Sequence, residues 1–257
     1  MSLLHVKNLS VHRQKQVVLE DISFTVNEGE FIGLIGPNGA GKSTLLRAIL
    51  SQLPYQGKVV LSGQESAQTS HGERAKILSY IAQSREIGWN VTVETLVSLG
   101  RLASLTRFSG MTAQDRQQVL AAMAALKVQH LADKPARELS GGEQARALIA
   151  RAVAQDAPLM LADEPVAGLD PAHQIALMQT LSDHAASGRS IICTLHDLGL
   201  AARWCTRFIL LKEGRLVADG TPSEILTPDS VRDLYGVEIY RAVTPDGLII
   251  QPTSIVQ

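Results

Sequence analysis

At 257 residues, 45% of them hydrophobic and 4% aromatic, the chain is long enough to bury a full α/β core packed mainly by aliphatic side chains, with one modest subdomain besides. A formal charge of −1 leaves no polybasic field and argues against nucleic acid as a partner. Cys193 and Cys205 lack metal-ligand spacing and fit free thiols. With no apolar leader in residues 1–8 and no apolar run of about 18 residues, the expectation is a soluble cytosolic chain.

In chain order, residues 3–9, 17–19 and 22–26 predict short strands joined by polar turns, and 31–35 predicts a buried strand. A helix is expected over 45–50, a strand and turn over 59–63, and a strand over 77–82 that ends at Gln83. From Ile87 the pattern becomes helical, with apolar residues at three- and four-residue spacing in 91–99, 113–126 and 143–154. Strands at 159–162 and 190–195 bracket a helix that starts at Pro171. Hairpins are expected about Glu213-Gly214 and about Pro245-Asp246-Gly247. A mainly helical block thus interrupts an α/β core, without internal repeats.

The connection Gly36-Pro37-Asn38-Gly39-Ala40-Gly41-Lys42-Ser43-Thr44 carries the first chemistry. Glycines let backbone N–H groups approach phosphate oxygens, Lys42 brings a mobile positive charge, and the Ser43 hydroxyl suits Mg²⁺. Strand before and helix after are the required context, and the helix start favours an anion. The strand at 159–162 delivers Asp163 and Glu164 side by side. Asp163 suits direct or outer-shell Mg²⁺ ligation, and Glu164 suits polarising the water that attacks a terminal phosphate. In Leu139-Ser140-Gly141-Gly142-Glu143-Gln144, Ser140 is a natural cap for a second anion-binding helix start.

In this order the motifs resemble those of the ATP-binding-cassette (ABC) ATPases, over nearly the whole chain. Gln83 falls where that family has its glutamine loop, Ala167-Gly168-Leu169-Asp170 where it has the D-loop, and His196 at the switch histidine. The resemblance implies a P-loop NTPase core with an antiparallel β subdomain and an inserted helical (signature) subdomain. Its implied bounds are 1–86 and 141–228 for the core with its β subdomain, 87–140 for the helical insert and 229–257 for a tail. ATP would be held by Gly36, Asn38, Gly39, Ala40, Gly41, Lys42, Ser43 and Thr44. Across a head-to-tail homodimer the other copy would add its signature residues Ser140, Gly141, Gly142, Glu143 and Gln144, and Asp170 of the D-loop is also counted among the nucleotide-binding residues. Mg²⁺ falls to Ser43, Gln83 and Asp163, and catalysis to Glu164, His196 and Lys42. Where the family usually stacks an aromatic ring on adenine, this chain has Arg13, with His12 beside it; a guanidinium stack and a solvated loop residue both fit.

Residues 90–101 and 231–238 are similar to importer ATPases for iron–siderophore, haem and cobalamin complexes, with zinc and manganese importers close by. A peripheral subunit is implied, on the cytoplasmic face of the inner membrane. It would dock on separate permease subunits and be served indirectly by a solute-binding protein. The alternatives are the ATPase of another ABC transporter, for zinc, manganese or other cargo, and, behind it, a soluble, non-transport ABC ATPase. Trp89 lies where the family receives the membrane subunit, as an exposed anchor or as a residue buried under the helical block. His130, His173 and His184 lack ligand spacing and read as surface residues.

Overall fold

The computed structural model describes residues 2–14, 16–84, 86–105, 110–245 and 247–256. They form two compact units, one built from the chain up to Thr69 and from Ser190 onward, the other from Ser70 to Arg189.

The first unit opens with a long antiparallel hairpin, β1 (Ser2–Arg13) and β2 (Gln16–Asn27). Leu4, Val6, Leu9 and Val11 face the core along β1. The sequence predicts three short pieces here, because polar residues interrupt the alternation. The ladder instead runs through them by shifting register, with Asn8 and Asp21 at φ 49 and 52 and the Asn8 amide donating to Asp21 Oδ1 at 2.6 Å. Next come β3 (Phe31–Ile35), buried at every position, and α1 (Lys42–Ile49). β4 (Gln56–Leu61) pairs with β1 and β5 (Gln64–Glu65) with β4, giving the order β2-β1-β4-β5.

In the second unit α2 (His71–Ile77) leads into β6 (Leu78–Ile81). α2 is unexpected from periodicity, because Arg74 is its one buried residue; its signal is the capping box Ser70-His71-Gly72-Glu73. α3 (Val93–Ser98), a 3-10 turn over Leu99–Ala103, α4 (Ala113–Ala125) and α5 (Gly141–Gln155) form the helical part. The buried face of α5 is mostly alanine, which admits close neighbours. A Cβ on Gly100 would lie 2.2 Å from the Arg151 carbonyl oxygen, so only glycine fits where the turn crosses α5. Arg101 then donates to the Ala154 and Gln155 carbonyls at the end of α5, and its Nε meets Asp115 at 2.9 Å. β7 (Leu159–Ala162) runs parallel to β6, and α6 (Pro171–Ala186) follows.

The first unit resumes with β8 (Ser190–Thr194), α7 (Leu198–Trp204), β9 (Arg207–Lys212) and β10 (Arg215–Gly220). β3 is parallel to both β8 and β9, and β10 folds back on β9. α8 (Pro222–Ile225) and α9 (Pro228–Tyr235) each start on a threonine cap with proline in the first turn. β11 (Val237–Thr244) and β12 (Gly247–Ile255) form the last hairpin. The turn expected at Pro245-Asp246-Gly247 includes Asp246, which lies outside the described residues.

Candidate functional site

In the first unit the phosphate loop joins β3 to α1. Gly36 sits at φ 146, and a Cβ there would fall 2.1 Å from the Leu211 carbonyl oxygen. Gly41 sits at φ 98, and a Cβ there would meet the Leu19 side chain at 2.5 Å. Both positions therefore require glycine, for conformation and for space. Gly36 and Ala40 are buried while Asn38 and Gly39 face solvent. α1 begins on Gly41 with no side-chain cap and no acid in its first turn, so the helix start keeps its positive character. Ser43 and Thr44 lie in that turn, half-buried.

Lys42 is buried, and its Nζ donates to the Gly36 and Pro37 carbonyls at 2.6 and 3.0 Å. The ammonium is thus held inside the curve of the loop. Gly214 of the β9–β10 turn donates its N–H to Ala40 and accepts one from Glu20, buttressing the loop from outside. Tyr235, at the end of α9, hydrogen-bonds to the Gly36 backbone, and burial raises its phenol to about 12. No local sequence motif announces this support. His196 is exposed between β8 and α7, just before Asp197 caps α7. Arg13 and His12 are exposed at the end of β1, with Arg13 paired to Gln16 across the hairpin.

The second unit holds the acids and the signature. β7 ends at Ala162, and Asp163 follows, 1% exposed, its N–H on the Ile81 carbonyl at 2.9 Å. Glu164 is half-buried at φ 49, a left-handed conformation that costs a non-glycine residue about 1–3 kcal/mol and is characteristic of functional turns. Gln83 is exposed two residues beyond the end of β6.

Ser140 caps α5 in a reciprocal box. Its N–H and hydroxyl donate to the Glu143 carboxylate at 2.8 Å each, and the Glu143 N–H donates back at 3.4 Å. The backbone bond from Ser140, then the hydroxyl, lowers the Glu143 pKa. Gly141 and Gln144 belong to the same first turn. Asp170 caps α6 in a similar way, accepting the His173 N–H at 2.9 Å and meeting His173 Nδ1 at 2.6 Å; these bonds lower its pKa. Ser140, Gly142 and Glu143 share a cleft of about 470 Å³ with Gly168 and Asp170. Arg146 and His173 line it too. Neither was anticipated as a site residue, although Asp170 and His173 stand at capping spacing.

Trp89 is 73% exposed, which rules out the buried alternative. His130 is exposed as expected, whereas His184 is half-buried and burial lowers its pKa. Cys193 and Cys205 are buried thiols, not joined in a disulfide. No helix among the described residues is long and apolar enough to cross a membrane.

A glycine loop between a buried parallel strand and an uncapped helix, with a buried lysine inside its curve, defines a P-loop nucleotide-binding protein. Residues 19–167 match the family model described as ABC transporter, and the chain belongs to that family. It is 41% identical over 243 residues to the hemin import ATP-binding protein HmuV of Pseudomonas aeruginosa, over 92% of this chain and 94% of that one. A structure reported as an inward-facing ABC transporter of metal-chelate type aligns with TM-score 0.84 and 25% identity, over 100% of this chain and 99% of that one. A bacterial ABC transporter cassette solved as a dimer aligns with TM-score 0.77 and 25% identity, over 86% and 99%.

Proposed function

We propose that this chain is the ATP-hydrolysing subunit of an importer that moves a metal chelate, of the haem, iron–siderophore or cobalamin type, through separate membrane subunits. The observation that carries the nucleotide half of the reading is the buried Lys42 ammonium inside the loop at the uncapped start of α1. The cargo half rests on the likeness to a hemin import ATP-binding protein and to a metal-chelate type transporter.

In the proposed reaction, Lys42 and the amides of Gly36, Asn38, Gly39, Ala40, Gly41, Ser43 and Thr44 hold the phosphates of ATP, and Arg13 stacks on the base. The cradle fits the group, since the Lys42 ammonium lies inside the loop and α1 starts uncapped with no acid in its first turn. Mg²⁺, ligated by Ser43 and Gln83 with Asp163 ordering its shell, would neutralise charge on the transferring phosphoryl group. Glu164 takes a proton from the water whose oxygen bonds to the γ-phosphorus, and the bond to the ADP oxygen breaks. His196 orients the γ-phosphate.

The second copy contributes Ser140, Gly141, Gly142, Glu143, Gln144 and Asp170 in a head-to-tail homodimer, as suits a relative solved as a dimer. Gln83 passes nucleotide occupancy to residues 87–140, the helical subdomain of a single cassette that ends in the 229–257 tail. Exposed Trp89 suits an anchor for a permease at the cytoplasmic face of the membrane. A solute-binding protein would act on the permease and only indirectly on this chain.

The direct test is calorimetry of MgATP binding. Lys42→Ala is expected to abolish tight binding, and unchanged affinity would overturn the loop assignment. Uptake of haem by cells carrying this chain with its co-purifying permease, abolished by the same substitution, tests the cargo.

A further inference from the structure

Behind the signature cleft, still within the second unit, lies another of about 300 Å³. Four basic groups from separate stretches of chain converge on it: Lys127 and His130 after α4, Arg146 on α5 and His173 in the first turn of α6. None of its described lining residues is acidic, in a chain whose charges otherwise nearly cancel. Its inner wall is apolar, built on Leu126 and Leu177, which are 3% and 2% exposed.

Arg146 sets this cleft apart from an ordinary basic surface. Arg101, Arg189, Arg207, Arg215 and Arg232 each pair with a carboxylate. The Arg146 Nε is buried and has no hydrogen-bond partner among the described residues. A buried guanidinium donor without an acceptor is costly, and a carboxylate or phosphate oxygen is the acceptor it matches best.

We propose that this cleft binds a small organic anion, a carboxylate or phosphate headgroup on a short apolar body. The headgroup meets Arg146 and Lys127, and the body lies on Leu126 and Leu177. Arg146 and His173 also line the cleft at Ser140 and Asp170, so an occupant touches two side chains that border the signature. The site is separate from the phosphate loop and does not depend on the cargo assigned above.

The test is calorimetric titration of the full-length, nucleotide-free protein with 4-phenylbutyrate, its uncharged amide and phenyl phosphate. One site per chain is expected for an anionic probe, with Kd on the order of 1 mM or tighter, and the amide about tenfold weaker. Lys127→Glu reverses a charge at the rim, and Ala176→Leu fills the cleft. Each is expected to weaken the anion about fivefold or more while circular dichroism shows the parent fold. Phenylbutyrate binding with phenyl phosphate silent identifies the headgroup as carboxylate, and the reverse, sensitive to both variants, as phosphate. Absence of saturation for both anions by about 10 mM overturns the proposal. So does equal binding of the amide, or affinity unchanged in both variants, which for phenyl phosphate would mean the phosphate loop.

Discussion

Glu164 and Asp163 adjoin in sequence and differ in burial and in backbone conformation. Asp163 is 1% exposed with its amide tied to Ile81, whereas Glu164 is half-buried and held left-handed at the head of a turn. That division of environment suits one acid for ordering a metal shell and the other for handling a water proton. Glu164→Gln keeps the shape and removes the basicity. Steady-state phosphate release is expected to fall by about 10²–10⁴-fold, with nucleotide binding retained. Turnover at the parent rate would remove Glu164 from the role. Asp115 makes the contrasting case of a structural carboxylate. Its pKa is driven down first by the Thr112 hydroxyl, then by the Thr112 amide and Arg101. A depressed folded-state pKa means stability that is complete above the ordinary aspartate range near 4 and is lost as pH falls through it toward the folded value. Melting temperature should therefore drop more steeply from about pH 5 to 3 in the parent than in Asp115→Asn. Parallel curves would show that folding does not favour the ionised Asp115 carboxylate. Little of this was legible beforehand. The phosphate loop, the paired acids and the signature announce themselves because glycine, lysine and acid at fixed offsets have few other uses. Arg101, Arg146 and Tyr235 are ordinary letters whose roles come from residues far along the chain.

Among elements, the legible ones carry a one-dimensional pattern. β3 and β7 match their expected bounds because each is a short apolar run stopped by glycine or by acids. α6 starts where Asp170-Pro171 places a cap and a first-turn proline. α2, α8 and α9 bury little, so periodicity passes over them although their capping boxes are written in the sequence. β1 and β2 were read as fragments because residues such as Asn8 and Asp21 bend the hairpin without ending it. The crossing at Gly100 is invisible to any local rule, since the obstacle is the Arg151 carbonyl 51 positions later. Gly100→Ala would drive a methyl group to 2.2 Å from that oxygen and force the turn off α5. Overpacking of this kind costs about 1–3 kcal/mol, to be read as a lower midpoint in urea unfolding. A midpoint equal to the parent's would mean that the turn moves aside without cost.

At the scale of the whole molecule, the chain carries one phosphate loop in its first unit and one Ser140-capped helix start in its second. Both suit the same kind of ligand, a terminal phosphate. The proposed head-to-tail pairing of two chains would use both features twice. In that proposed arrangement ATP would belong to both copies, and binding that requires two chains would shift the monomer–dimer balance by mass action. Hydrolysis would erase that shift, so the state has to be held by a variant that binds and does not turn over. Glu164→Gln in MgATP is expected to elute at twice the 27.7 kDa of one chain in light scattering, and to return to one-chain mass when nucleotide is removed. Adding Ser140→Arg, which places a bulky cation at the signature cap, should abolish the two-chain species and leave nucleotide binding to the phosphate loop intact. If the Glu164→Gln protein saturated with MgATP keeps one-chain mass across the accessible concentration range, head-to-tail pairing through nucleotide is wrong for the isolated subunit. The signature would then need the membrane partner to bring two cassettes together.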